Sequence, residues 1–398
     1  MAALRRVTIT NMRVVMMAIL FLLSCHTIAA QQLEEKTLDG TTITYRYTPI
    51  VEDSRTPLER YLDANLDDRN VRFNIIGGPG YSANTGWRLA AIANMYYRQR
   101  GEDSTSPGVL TLTAAASLTG YYNLTLGGVN ALHGGRHRLS YGLELRSEPT
   151  YIWGLDYATA TGGSAGEYTA HDYGAWLNYR YAFTRSLFVG VGVNYLNVEA
   201  NGLSHRAVNI VGNEPYSISA VGVGLSLGVD TRQSVDNRTR GLYAAVELVT
   251  HPQLLSSLSS NLYELNVTFD YYQPLWRGAT LALDLYGEFH NDATPWLLRA
   301  ELGGESRMRG YYRGRYMGDH LVAAQLELRQ HLWEGLGVAV WGGAGEVFSV
   351  DDKFAWRKVL PTYGVGLRWS LNALTSIRLE MAFGRDSRYF ILGINEAF

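Results

Sequence analysis

The residues best equipped for chemistry lie between 301 and 333. Arg307, Arg309, Arg313 and Arg315 stand among Tyr311, Tyr312 and Tyr316 in the stretch ELGGESRMRGYYRGRYMGDHLVAAQLELRQHLW. Partly dehydrated guanidinium groups pair bidentately with carboxylates and stack on aromatic faces, which is binding chemistry. Other constellations are weaker. Gly162-Gly163-Ser164-Ala165-Gly166 matches G-x-S-x-G. A nucleophile elbow needs a strand before the serine and a helix after it, but here a loop precedes and a strand pattern follows. The nine histidines are scattered and none forms an H-E-x-x-H pair, so no metal site is expected. His290 near Asp292 is the nearest approach to an acid–histidine cluster, and a hydrogen bond at a rim is its simpler use. No catalytic residue, cofactor or enzymatic activity is expected.

Those residues must be positioned by strands. From about Val71 onward, short stretches alternate between apolar and polar side chains. Leu281, Leu283, Leu285 and Phe289 oppose Thr280, Asp284, Tyr286 and Glu288. Tyr263, Leu265, Val267, Phe269 and Tyr271 oppose Glu264, Asn266, Thr268 and Asp270. Val322, Ala324, Leu326 and Leu328 oppose Gln325, Glu327 and Arg329, and Ile377, Leu379, Met381 and Phe383 oppose Arg378 and Glu380. Period two marks strands whose two faces meet different surroundings. A soluble sandwich also alternates, but its strands are nearer five or six residues. Segments here run to 10–14, enough for a tilted membrane strand of about 9–11.

Sixteen segments are counted, at 71–81, 86–99, 108–119, 121–131, 137–147, 168–183, 187–199, 219–230, 241–250, 261–274, 278–290, 319–333, 336–348, 361–371, 376–384 and 389–398. The longest connections, 148–167, 200–218, 291–318 and 349–360, all follow odd-numbered segments. Barrels with both termini in the periplasm have short periplasmic turns and longer external loops. The expected fold is therefore an all-β, transmembrane antiparallel barrel of sixteen strands over 71–398, in a bacterial outer membrane and in contact with its lipid.

The first thirty residues read as a secretory signal. Arg5, Arg6 and Arg13 precede the ten-residue apolar run Val14 to Leu23, with Ala29 and Ala30 before Gln31. That run falls short of the roughly 20 residues a spanning helix needs. A lipoprotein-type reading around Leu-Leu-Ser-Cys25 is the rival. Cleavage near Ala30 would remove the only cysteine, which suits an oxidising compartment. Residues 31–70 read as a short periplasmic extension, with one helix possible over Pro57 to Leu66. Excluding the three signal arginines from 35 basic residues leaves 32 against 37 acidic, a formal charge of −5, so nucleic acid is not an expected partner. Tyrosine outnumbers phenylalanine 27 to 11, beside 42 glycines and nine tryptophans, a balance suited to strands ending in aromatic girdles.

With the strands mapped, Glu301 to Trp333 resembles the sixth-loop signature of the BamA/TamA superfamily, bacterial surface-antigen barrels that insert or move proteins at outer membranes. The core of that signature is Arg309-Gly310-Tyr311, between the eleventh and twelfth strands. Phe73 to Gly86 is similar to the family's first strand and turn, and Asp230-Thr231-Arg232 with Gly241 to its D-[TS]-R and downstream glycine. The resemblance implies that the sixth loop, with Arg307 and Arg313, folds into the lumen. It implies too that Arg309 bonds acids on the twelfth and thirteenth strands. The first acid falls on Glu327, which alternation independently aims inward. The second falls on Gly343, so it is missing. A loop with solvated arginines outside the barrel is the simpler alternative.

At the ends of the barrel, Gly77, Gly78, Pro79 and Gly80 interrupt the first strand, and Gly393 and Phe398 fit the family's last one, where Glu396 replaces an aromatic. Proline donates no ladder bond and glycine adds no packing. A weak junction of first and last strands is expected, read either as a bulge or, by resemblance, as a lateral seam. Residues 31–70 are too few for the polypeptide-binding POTRA domains of the family. The expected role is insertion or translocation of polypeptide, or lipid, with a polypeptide client and a separate periplasmic partner. A passive channel or structural surface-antigen barrel is the alternative.

Overall fold

The computed structural model describes residues 71–97, 108–132, 136–232, 239–292, 294–333, 335–372 and 375–398. The expected signal segment 1–30, the extension 31–70 and its helix lie outside the described residues.

Period-two alternation yields strands throughout. These are β1 (Val71–Ser82), β2 (Gly86–Tyr97), β3 (Gly108–Ser117), β4 (Tyr122–Leu132), β5 (His137–Ile152), β6 (Gly166–Ala182), β7 (Leu187–Asn201), β8 (Ser217–Asp230) and β9 (Gly241–His251). After them come β10 (Leu262–Pro274), β11 (Ala279–His290), the short β12 (Ala300–Leu302) and β13 (Tyr316–Gly318), and β14 (His320–Trp333). The chain ends with β15 (Leu336–Phe348), β16 (Leu360–Asn372), β17 (Thr375–Phe383) and β18 (Arg388–Ile394). Strands β1–β11 and β14–β18 pair with their neighbours in sequence and close into a sixteen-stranded antiparallel barrel, while β12 and β13 pair separately. Closure joins the first strand to the last, so the ring has no wholly free edge in a hydrocarbon surrounding.

Register explains which side chains share a face. Leu265 lies opposite Phe289 and Phe269 opposite Leu285, whereas Asp270 lies opposite Asp284. The apolar phase points outward: Leu126, Leu143, Leu177, Val191, Leu225, Leu248, Leu326, Val365 and Leu367 are all exposed. An apolar surface this extensive marks a wall made for lipid. The charged phase points in, and Asp284, Gln325, Glu327 and Glu380 are buried.

The long connections carry structure that alternation does not reveal. One contains helix α1 (Tyr157–Gly162), capped by Asp156, and the next helix α2 (His205–Val211), capped by Ser204. Side-chain oxygens at these positions accept from exposed N–H groups and so define helix starts. The connection after β11 contains the β12–β13 ladder. These three connections pack together: Trp296 Nε1 donates to Pro215 O at 2.8 Å and Arg299 Nη1 to Leu155 O at 2.6 Å. Ile152, Tyr168, Ala207, Val211, Trp296 and Met317 form the apolar cluster between them.

Three departures from the expected strand pattern bear on the site. β5 runs five residues past 147, continuing its ladder with β6 as far as Ile152 opposite Gly166. β1 is not interrupted at Gly77–Gly80, because those residues keep full register with β2, Gly77 opposite Ala91 and Gly80 opposite Arg88. β18 stops at Ile394, where Asn395 adopts a positive φ of 61° and turns the chain.

Candidate functional site

The connection between β11 and β14 supplies the arginines, and its frame is glycine-dependent. Gly303, Gly304, Gly310 and Gly314 all have positive φ, and Met308 does so at 50°. This folding brings Arg309 against β14 and β17, where it is 0% exposed. Its Nη2 donates to Glu327 Oε2 on β14 at 2.5 Å, and its Nη1 to Glu380 Oε1 on β17 at 2.8 Å. The guanidinium also lies 3.9 Å from the centre of the Trp341 ring on β15. One cation buried between two carboxylates and an aromatic face has its charge offset where water cannot reach.

The neighbouring residues of the motif have equally local reasons. Gly310 has φ 107°, and a Cβ there would meet the Phe383 carbonyl carbon at 2.6 Å. Only glycine allows this approach to the end of β17. Its carbonyl accepts from Ser387 Oγ at 2.5 Å, and the Arg309 carbonyl accepts from Thr362 Oγ1. The Tyr311 hydroxyl donates to Pro361 O at 2.6 Å and accepts from Arg385 N at 2.8 Å. Arginine, glycine and tyrosine thus dock on β14–β17 and on the 384–387 turn as one unit.

Other arginines of this stretch reach different parts of the wall. Arg307 grips Asp284 of β11 at 3.0 Å and stacks on Tyr286 at 4.0 Å. Arg313 pairs with Glu148 of β5 at 2.7 Å, while its backbone N–H donates to Asn84 Oδ1 beside β1 at 3.1 Å. Arg315 has the Trp153 and Tyr316 rings at 5.9 and 5.6 Å. Glu305 accepts two bonds from Arg88 of β2, at 2.5 and 2.8 Å.

Around Arg309 the charges form a closed set. Glu327 Oε1 accepts from Arg329 Nε at 2.7 Å, and Arg368 Nη2 bridges Glu327 and Glu380 at 3.3 and 2.7 Å. Arg378 donates to Glu380 Oε2 at 2.8 Å. Glu396, beyond the end of β18, accepts from Arg368 Nε at 2.8 Å. The Gly343 position holds no acid, as the sequence requires, and a Cβ there would meet Ala324 O at 2.6 Å. The second carboxylate comes instead from Glu380, two strands further along. Alternation had placed Glu380 on the inner face, but nothing in the sequence tied it to Arg309. Arg368, Thr362, Trp341 and the Arg88–Glu305 pair were also missed. Arg368 was findable, as the lone charge between Leu367 and Trp369 in a strand with an apolar outer phase.

The expected seam residues divide. Gly80 and Gly393 lie at the β1–β18 junction. A Cβ on Gly80 would come within 3.3 Å of Leu392 O, and one on Gly393 within 2.9 Å of Arg378 Nε. Phe398 lies elsewhere, with Tyr272 of β10 and Ala282 of β11 in one buried cluster, and Arg329 is 5.2 Å from its ring. The turn at Asn395 carries it off the strand. Gly77, Gly78 and Pro79 belong to the β1–β2 ladder. The junction itself registers at a single pair, Tyr81 opposite Leu392, beside twelve pairs for β1–β2 and seven for β17–β18.

The remaining constellations fall into structural roles. Ser164 follows helix α1 and precedes β6, the reverse of a nucleophile elbow, and its carbonyl accepts from Arg206 Nε at 2.5 Å. His290 meets Glu288 at 3.2 Å rather than Asp292. Arg232 binds Asp230 through two 2.9 Å bonds and stacks on Tyr243 at 4.2 Å, closing the β8–β9 end.

A family model for the Omp85 superfamily domain matches residues 132–398, from the end of β4 through β18. The chain belongs to the Omp85 superfamily. Its Omp85 barrel is also similar to solved structures. A BamA from Haemophilus ducreyi lacking POTRA domains 1–3 shares 15% identity with a TM-score of 0.56, over 82% of this chain and 70% of that one. CdiB from Acinetobacter baumannii gives 14% and 0.55, over 82% and 60%. CdiB from Escherichia coli gives 13% and 0.54, over 81% and 62%. The chain thus spans less than two thirds of either CdiB. At these identities the likeness is one of fold. No curated protein matches the Omp85 chain by sequence.

Proposed function

We propose that this Omp85 barrel works in a bacterial outer membrane to assist insertion or translocation of polypeptide through a seam between β1 and β18. In this reading the arginine stretch folds into the lumen as a latch, and the segment at 1–30 exports the chain. A separate periplasmic protein would deliver the client. One observation carries the reading: β1 and β18 meet at one register pair, while every other barrel junction has at least seven. A ladder this short separates at the least energetic cost of any in the ring, which is where a passage toward lipid would form.

Tyr81 and Leu392 face each other across that junction, so Tyr81→Cys with Leu392→Cys should allow a disulfide to hold it shut. Oxidised cells carrying only this variant should lose other outer-membrane barrels, and a reductant should restore them. Unchanged outer-membrane protein content with the bond formed would reject the seam. The passive-channel alternative is read in the same strain, since conductance of the purified protein in a planar bilayer would persist with the seam locked.

A further inference from the structure

The connection between β15 and β16, residues 349–359, does not simply arch over the barrel rim. Glu346 of β15 lies opposite Val322 of β14, in the phase that faces outward, yet it is fully buried. Its Oε1 accepts from Ala355 N at 2.9 Å, so the connection folds down over the outer wall and covers that carboxylate. A carboxylate facing hydrocarbon would be costly without such a cover. Lys358 fixes the bend by donating to Asp352 Oδ1 and, at 2.7 Å, to Lys353 O.

The bend extends an aromatic row already on the wall. Phe289, His320 and Phe348 sit in register on three adjacent strands, with ring centres 5.9 and 5.0 Å apart. Phe354 continues the row 5.9 Å from Phe348, and Trp356 ends it 5.3 Å from Phe354. Trp356 is 84% exposed. Lys353 and Arg357 flank it, both exposed, and neither forms an ion pair among the described residues.

We propose that Lys353, Phe354, Trp356 and Arg357 form a foot that binds anionic lipid headgroups in the leaflet at the long-loop end of the barrel. Continuity with the lipid-facing wall selects lipid as occupant. Aromatic rings with an apolar body and a polar edge settle at the membrane interface, and the two cations then lie at the depth of the phosphates. The inference needs only a bilayer around the barrel, so it stands or falls separately from the transport reading.

The test uses the full chain without Cys25, reconstituted in mixed phosphatidylcholine and phosphatidylglycerol vesicles. An environment-sensitive fluorophore sits at Trp356→Cys, with Val350→Cys as a second position if loss of the tryptophan disturbs the bend. Brominated phosphatidylglycerol should quench the probe more strongly than brominated phosphatidylcholine, and aqueous iodide should quench it little. Lys353→Gln with Arg357→Gln should remove that headgroup preference, by roughly fivefold per cation, with the heat-resistant folded band on gels unchanged. Strong iodide quenching would overturn the proposal in favour of a solvated loop. Equal quenching by both lipids would reduce the foot to an aromatic anchor and remove the anionic-headgroup site. Protection that rises with the protein-to-lipid ratio would assign the patch to a second copy.

Discussion

The wall from β14 to β17 and the junction of β1 with β18 are parts of one ladder, yet different forces hold them. On the first, β14 and β15 register from His320 opposite Phe348 down to Trp333 opposite Leu336. Arg309, Glu327, Glu380, Arg368 and Arg378 then tie three strands to the docked loop. The second has Tyr81 opposite Leu392, with Tyr81 also against Phe390 at 5.9 Å. Backbone hydrogen bonds are cooperative along a ladder, so shortening one junction concentrates opening there. The polar interior does the reverse, making the β14–β17 junctions, which begin one strand from β18, hard to separate. Stability is thus distributed unevenly around the ring, with the loop reinforcing the strands that lie next to the short junction.

The heaviest blow to the strong side should come from Arg309→Ala. It would strip Glu327 and Glu380 of a cation inside a buried network, a kind of loss worth about 3–5 kcal/mol. Urea unfolding of the detergent-solubilised barrel should show that drop, and Arg309→Lys should recover only part of it, since one ammonium cannot reproduce the forked geometry. An unfolding midpoint unmoved by Arg309→Ala would mean that the loop merely rests against the wall.

Next in size is Gly310→Ala, which sets a Cβ at a φ of 107° against the backbone at Phe383. Strain of this type costs about 1–3 kcal/mol. The loop should detach as a unit, exposing Tyr311, and limited proteolysis within 303–315 should increase. Cleavage equal to that of the parent protein would show that the loop can relieve the clash without leaving β17.

Much of this was legible in the chain because two surroundings impose period two. The outward Leu281–Leu283–Leu285 row and the inward Asp284, Glu327 and Glu380 could be read residue by residue, and so could the sixteen strands. Contacts across the barrel could not. Glu380 pairs with an arginine 71 residues away, and alternation assigns a face without assigning a partner. Phe398 misled for a related reason: an aromatic at the end of a strand pattern reads as strand, whereas the turn depends on the left-handed conformation of Asn395. Helices α1 and α2 escaped notice because each is under two turns long, and only Asp156 and Ser204 announce them.

The smallest effect tests whether the weak side is weak by composition or by register. Gly78 keeps its place opposite Ala90 of β2, and a Cβ there would meet nothing within 4 Å. If glycine only lowers strand propensity, Gly78→Ala should stabilise the barrel by about 0.5–1 kcal/mol. Hydrogen exchange at Tyr81 and Leu392 should still be faster than at the β5–β6 ladder, because the number of pairs across the junction is unchanged. Slowed exchange at Tyr81 would move the cause to glycine composition. In that case the junction would be a feature of β1 alone, and the turn at Asn395, which takes residues 396–398 off the strand, would no longer be needed to explain it.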